Sequence, residues 1–160
     1  MKYILNIGLI LPLVLVFSFT SISFSNTKLK GWEIDSEYNQ LYDPDAVEKL
    51  KVIVKDVIEV VPMPGMAEGV GLVVEDRDDG ELYTVHISPA GYKSKRALGI
   101  RKRDKLTLRG CFVDIGEEEV IMASKIKVGK TTIKFRLTSD GKPFWTMPPD
   151  ELKRELSLAE

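Results

Sequence analysis

The stretch Val70-Gly71-Leu72-Val73-Val74-Glu75-Asp76-Arg77-Asp78-Asp79-Gly80-Glu81-Leu82-Tyr83-Thr84-Val85-His86-Ile87 decides the fold. Two β-branched and aromatic runs flank a cluster that ends in Asp79-Gly80, and Asp-Gly is hairpin turn chemistry because glycine accepts a positive φ without cost. The pattern predicts a strand over Val70–Glu75, a tight loop over Asp76–Gly80, and a strand over Leu82–Ile87. Pro89-Ala90-Gly91 stops the second strand.

Upstream, Val47 to Val61 is dense in Val and Ile, which predicts a long strand with a bulge near Lys55-Asp56. Val47, Leu50 and Val54 also fit helical spacing, and the β-branched density decides for strand. Pro62-Met63-Pro64-Gly65-Met66 cannot extend a ladder and reads as a loop. Downstream, Tyr92 to Ile100 reads as a short helical or irregular crossover. Lys105–Val113, Val120–Val128 and Thr132–Leu137 read as further strands, with Gly110 marking a bend. The order β-β-β, crossover, β-β predicts an all-β chain: a five- to six-stranded oligonucleotide/oligosaccharide-binding (OB)-like barrel. A sandwich is the rival, but these strands leave little for a second sheet. The domain is expected over 47–146, preceded by an aromatic arm over 26–46 that packs Trp32, Tyr38 and Tyr42 on the barrel. A polar, helical tail is expected over 147–160.

The beginning of the chain reads as an address. A short basic start at Lys2, an apolar run from Ile4 to Phe19, and a small-residue zone from Thr20 to Ser25 form the pattern of a secretory signal peptide over residues 1–25. Ser23-Phe24-Ser25 places the cut after Ser25 and the product in the periplasm or outside the cell. An uncleaved anchor helix is the alternative, though the run is short for a span of about 20 residues. With an exported chain, Cys111 has no partner for an internal disulfide and is either buried or reactive.

Four stretches carry a resemblance: Gly31-Trp32-Glu33-Ile34-Asp35-Ser36-Glu37-Tyr38-Asn39-Gln40-Leu41-Tyr42-Asp43-Pro44, Pro62-Met63-Pro64-Gly65-Met66, Val85-His86-Ile87-Ser88-Pro89-Ala90-Gly91-Tyr92, and Asp140-Gly141-Lys142-Pro143-Phe144-Trp145. In order and spacing the chain resembles a family of small exported bacterial proteins with an OB-type barrel. That family is related in type to periplasmic stress-tolerance proteins and to some magnetosome-associated proteins. The resemblance implies a barrel and no assigned reaction. Lys55-Asp56, Ser88 and Gly91 depart from the family pattern, and the last two lie at the strand end that would face a ligand.

Candidate chemistry is sparse. His86 is the only histidine; its alternation with Val85 and Ile87 predicts that it faces outward or into the groove, where a base near neutral pH would be available, and a surface or loop-anchoring histidine is the simpler reading. A triad needs a nucleophile and an orienting acid beside it, and no spacing supplies them. Cys111 falls on the strand face of Thr107 and Arg109, opposite Leu106 and Phe112, and a Cys111–His86 thiolate pair is the weakest of the candidates. Met63, Met66 and His86 form a minimal soft-metal candidate, because thioethers bind copper(I); capping of the barrel end by both methionines is the simpler reading. Asp76, Asp78 and Asp79 lack the distal bidentate ligand of a calcium loop, and Arg77 opposes a cation there. No cofactor is implied.

Charge is more informative. The whole chain has 23 bases and 24 acids, which argues against a generally cationic nucleic-acid binder. The charge is nevertheless segregated: Lys93 to Arg109 holds eight bases and one acid, while Glu75 to Glu81 holds five acids and one base. Local fields attract polyanions even when net charge is near zero. Lys93, Lys95, Arg96, Arg101, Lys102 and Arg103 are therefore the expected partner-binding residues. For an exported chain the expected partner is an anionic envelope component or an acidic protein, and nucleic acid is a poor one. The expected function is a non-enzymatic binding module, with an accessory metal or redox protein as the alternative.

Overall fold

The structure, a computed structural model, describes residues 27–157. The leader expectation over 1–25, with its cut after Ser25, lies outside the described residues. No described helix is long and apolar enough to cross a membrane.

Six strands build the sheet: β1 Glu48–Val60, β2 Gly69–Asp76, β3 Leu82–Pro89, β4 Lys105–Ile115, β5 Glu118–Val128 and β6 Thr131–Lys134. β1 pairs with β2 and β4, β2 with β3, β4 with β5, and β5 with β6, all antiparallel. A short parallel pairing of Thr84–His86 with Val120–Met122 joins β3 to β5. The ring therefore runs β1–β2–β3–β5–β4 and back to β1, with β6 as an extension of β5. This closure removes the unpaired edges that a flat meander would expose. It makes the chain the five-stranded, barrel-like OB arrangement that the element order implied.

Alternation fills the interior. Val52, Val54, Leu72, Val74, Val85, Ile87, Leu106, Leu108, Ile121 and Ile126 are all buried, and each such side chain is worth about 1.5–3 kcal/mol of transfer free energy. The β1 bulge falls between Val54 and Asp56, where Lys55 stands. On the far side of the barrel, the β4–β5 register shifts at Arg109/Gly110, leaving Ser124 unpaired on β5. Gly110 is needed there: a Cβ on it would sit 2.8 Å from Ile121 Cγ2 and 2.5 Å from the Met122 carbonyl oxygen.

β6 is shorter than the expected Thr132–Leu137. The Phe135 and Arg136 amides both donate to the Ser124 carbonyl, at 2.8 and 3.2 Å, so the chain leaves the ladder at the bulge and turns both side chains inward. Arg136 then meets Pro143 in an isolated bridge. The crossover holds one turn of helix, α2 Lys95–Leu98, capped by the Ser94 hydroxyl and ended by Gly99 at φ 70°. Leu98 and Ile100 are its buried anchors. The tail forms α3 Pro149–Ser157, fastened by Lys142 to both Glu151 carboxylate oxygens at 2.8 and 2.9 Å.

The arm is ordered by side chains more than by regular structure. It has 3-10 turns at Thr27–Leu29 and Pro44–Ala46, and one helical turn, α1 Glu37–Gln40, capped by Ser36. Trp32 and Tyr38 are fully buried. The Trp32 indole N–H donates to the Ala67 carbonyl and the Trp145 indole N–H donates to the Trp32 carbonyl, both at 2.8 Å. The Asn39 amide donates to the carbonyls of Trp32 and Glu33 and accepts from Arg136 Nη2 at 2.7 Å. The four stretches that carry the resemblance thus meet at one place, the seat of the arm.

Candidate functional site

Partners in register lie on the same face of a sheet. That rule divides the outer surface of the barrel into two halves of opposite character.

The first half is covered. Cys111 is opposite Met122, Met122 is opposite His86, and His86 is opposite Gly71. Their common face is roofed by the arm. Tyr38 lies 5.9 Å from His86 between ring centres, and Trp32 lies so close over Gly69 that a Cβ there would overlap its ring. His86 was expected to be an available base, but the structure corrects this: it points outward from the barrel, yet the arm leaves it only 6% exposed. Burial lowers its pKa to about 4, so it is neutral at physiological pH, and Nδ1 has no hydrogen-bond partner. Cys111 does lie on the face of Thr107 and Arg109, as the alternation implied, and it is fully buried. Burial pushes its thiol pKa up, against a nearby Asp43 backbone contact and Arg136, which lower it. A thiol held protonated is a poor nucleophile.

Met66 packs against Gly31, where a Cβ would strike its side chain, and Met63 packs on the hydrophobic core. His86 contacts the Tyr38 ring. Among the described residues, no group of three His, Cys, Asp or Glu side chains stands ready for a metal. A concavity of about 550 Å³ lies where the arm crosses the β1–β2 loop, lined by Lys28, Met66, Ala67, Glu68, Ala90 and Gly91. It offers one base, one acid and no convergent set of polar groups.

The second half is bare and basic. Lys49 is opposite Arg109, Arg109 opposite Lys125, and Lys125 opposite Lys134, so four bases from four strands form one row. In the next row Lys51 is opposite Thr107, Thr107 opposite Lys127, and Lys127 opposite Thr132. Arg77 extends that row, its amide donating to the Lys51 carbonyl at 2.9 Å. Lys105 stands beyond it, opposite Ile53. Glu75, also opposite Ile53, is tied to Lys55. Among the described residues, no base of either row has a carboxylate oxygen within 4.0 Å. Lys125 records the crowding: its pKa is lowered by burial first, then by Arg109 and Lys134. Two adjoining concavities run along the rows, about 380 and 230 Å³, sharing Lys49, Thr107 and Lys127.

The expected binding residues lie on the crossover. Arg96, Arg101, Lys102 and Arg103 are exposed and Lys93 is half-buried. Lys95 is exposed but engaged, with Nζ 2.9 Å from Glu59. The end of the crossover is pinned to β1: the Arg103 amide donates to the Val54 carbonyl at 2.7 Å, and the Val54 amide donates to that of Asp104 at 2.9 Å. Arg103, at φ 75°, therefore leads directly to Lys105 at the margin of the basic rows. Sequence reasoning missed Lys49, Lys51, Arg77, Lys125, Lys127 and Lys134. The available signal was the polar phase of β1, β4 and β5, where bases and threonine fill the positions that alternate with the core.

Residues 46–133 match the MamS/MamX magnetosome protein family, whose description names a location and no reaction. No curated protein and no solved structure matches the chain. The matched segment begins just before β1 and ends within β6; it takes in the crossover and β1 to β5, and leaves out the arm and Lys134. The chain belongs to the MamS/MamX magnetosome protein family.

Proposed function

We propose that this protein is an exported, non-enzymatic accessory module that holds an anionic envelope component or an acidic protein on its basic surface. The observation that carries the reading is the concentration of uncompensated bases on one half of the barrel. Like charges placed opposite one another across strands cost about 0.2–1 kcal/mol, so folding alone does not favour the rows. A ligand that supplies the missing negative charge accounts for them. The crossover bases Arg96, Arg101, Lys102 and Arg103 extend the same field and would steer an anion toward the sheet. Family membership supports an accessory role, and the leader pattern in residues 1–25 supports export.

The test is retention of the purified protein on negatively charged, neutral and positively charged matrices across a salt series. Retention by the negative matrix alone, lost as salt rises because exposed charges are screened over about 10 Å at 0.1 M, is the expected result. Equal retention by the neutral matrix would sink the reading. Stoichiometric copper in protein isolated from the envelope would replace it with the metal-accessory alternative.

A further inference from the structure

We propose that the groove across β1, β4, β5 and β6 binds an acidic polysaccharide that carries a carboxylate on each ring, laid across the strands. The proposal rests on the anionic-partner reading and narrows it to one site and one ligand chemistry. Neighbouring strands lie about 4.8 Å apart, so the Cα positions of Lys49, Arg109, Lys125 and Lys134 step across a line of about 14 Å. A pyranose chain with a carboxylate on every ring carries one negative charge per ring with hydroxyls between the charges. An extended acidic peptide carries same-face carboxylates at about 6.6–6.8 Å and no hydroxyls between them.

The lining separates the remaining polyanions. Thr107 and Thr132 bring hydroxyls between the bases, which suits a ligand rich in hydroxyl groups. No aromatic side chain lines either concavity, whereas single-stranded nucleic acid is held largely by bases stacked on aromatic rings. The exposed large apolar side chains, Ile34, Val61, Leu82 and Leu156, lie off the two rows, so nothing there would enter a bilayer. The surface is also recessed, which favours a chain over a flat membrane. OB barrels commonly bind through strands 2 and 3; here the arm packs against the end of that hairpin, at Gly69 and His86, and the bare surface lies on the other side.

The experiment is calorimetric titration of the full chain with a short oligouronate. Its methyl-esterified form, poly-glutamate, a single-stranded oligonucleotide and phosphatidylglycerol vesicles serve as comparison probes. The expected result is binding of the oligouronate in preference to all four. That binding falls about tenfold in the Lys49→Gln/Lys125→Gln variant, with an undiminished melting temperature, and stays near the parent value in Lys153→Gln/Arg154→Gln, which removes two exposed bases of the tail helix. If an Arg96→Gln/Lys102→Gln crossover variant loses binding and the sheet variant keeps it, the site assignment is overturned while the anionic-partner reading stands. If poly-glutamate, the oligonucleotide or the vesicles bind more tightly through the same lysines, the ligand class is overturned. If no anionic probe binds, both fail.

Discussion

The two halves of the barrel's outer surface are built from the same strands and fare differently because one is roofed. At Cys111, Met122 and His86 the outward positions of β4, β5 and β3 are buried under Trp32, Tyr38 and Tyr42. A few residues further along β4 and β5, at Arg109 and Lys125, the same outward phase is open and carries only bases and threonine. The contrast teaches that outward does not mean exposed in this chain. What is covered serves stability, and what is bare is where unexplained charge accumulates.

The arm supplies the largest expected effect. Trp32→Ala should cost about 3–5 kcal/mol, since it removes a fully buried indole, its bond to Ala67 and the edge-on contacts with Tyr38 at 5.0 Å and Trp145 at 5.7 Å. Chemical denaturation measures it, and a loss below 1 kcal/mol would mean that the arm is not a roof.

The pH dependence of the covered half comes next. His86 has a folded pKa of about 4 against 6.5 for the free side chain, so the unfolded chain binds the proton more readily. Stability is full above pH 6.5 and should fall by about 3 kcal/mol as pH drops through 4. A His86→Gln variant should lose that component of the slope. An unaltered slope would show that the roof leaves His86 wet.

A third perturbation acts on the join between the arm and the segment after β6. Asn39→Ala strands the buried Arg136 Nη2 and removes one of the two donors to the Trp32 carbonyl, at a cost of about 1–3 kcal/mol. Near-UV circular dichroism should report loosened Trp32 and Trp145 packing at unchanged strand content. A far-UV change of equal size would mean that the barrel itself depends on the join.

The smallest effect has the opposite sign. Lys125→Thr relieves two like-charge neighbours and should raise stability by a few tenths of a kcal/mol, within the roughly 0.2–1 kcal/mol range of cross-strand pairs. A loss of stability would mean that the basic rows contribute to folding and need no ligand to explain them.

The sequence made much of the barrel legible. Asp79-Gly80 marked the β2–β3 turn, the β-branched run placed β1, and the bulge at Lys55-Asp56 showed as a break in its alternation. These signals are local, and so they survive without knowledge of tertiary contacts. The early end of β6 was hidden because it depends on the unpaired Ser124 across the ladder. The burial of His86 was hidden for a similar reason: the covering Tyr38 lies far upstream, in a segment without period. The basic crossover was visible as a run of charge. The basic rows were not, because Lys49 and Arg109 are distant in sequence and only the β1–β4 register makes them neighbours. The bulge at Arg109/Gly110 then has to fall where it does for Arg109 to meet Lys125.

The division between covered and bare surface is tested most directly by amide NMR of the labelled protein during titration with the oligouronate. The account predicts shift changes at Lys49 and Lys51, at Lys105 through Arg109, and at Lys125 and Lys127, with Trp32, Tyr38 and His86 unmoved. Changes centred on the arm and the end of β3, with the basic rows silent, would contradict it.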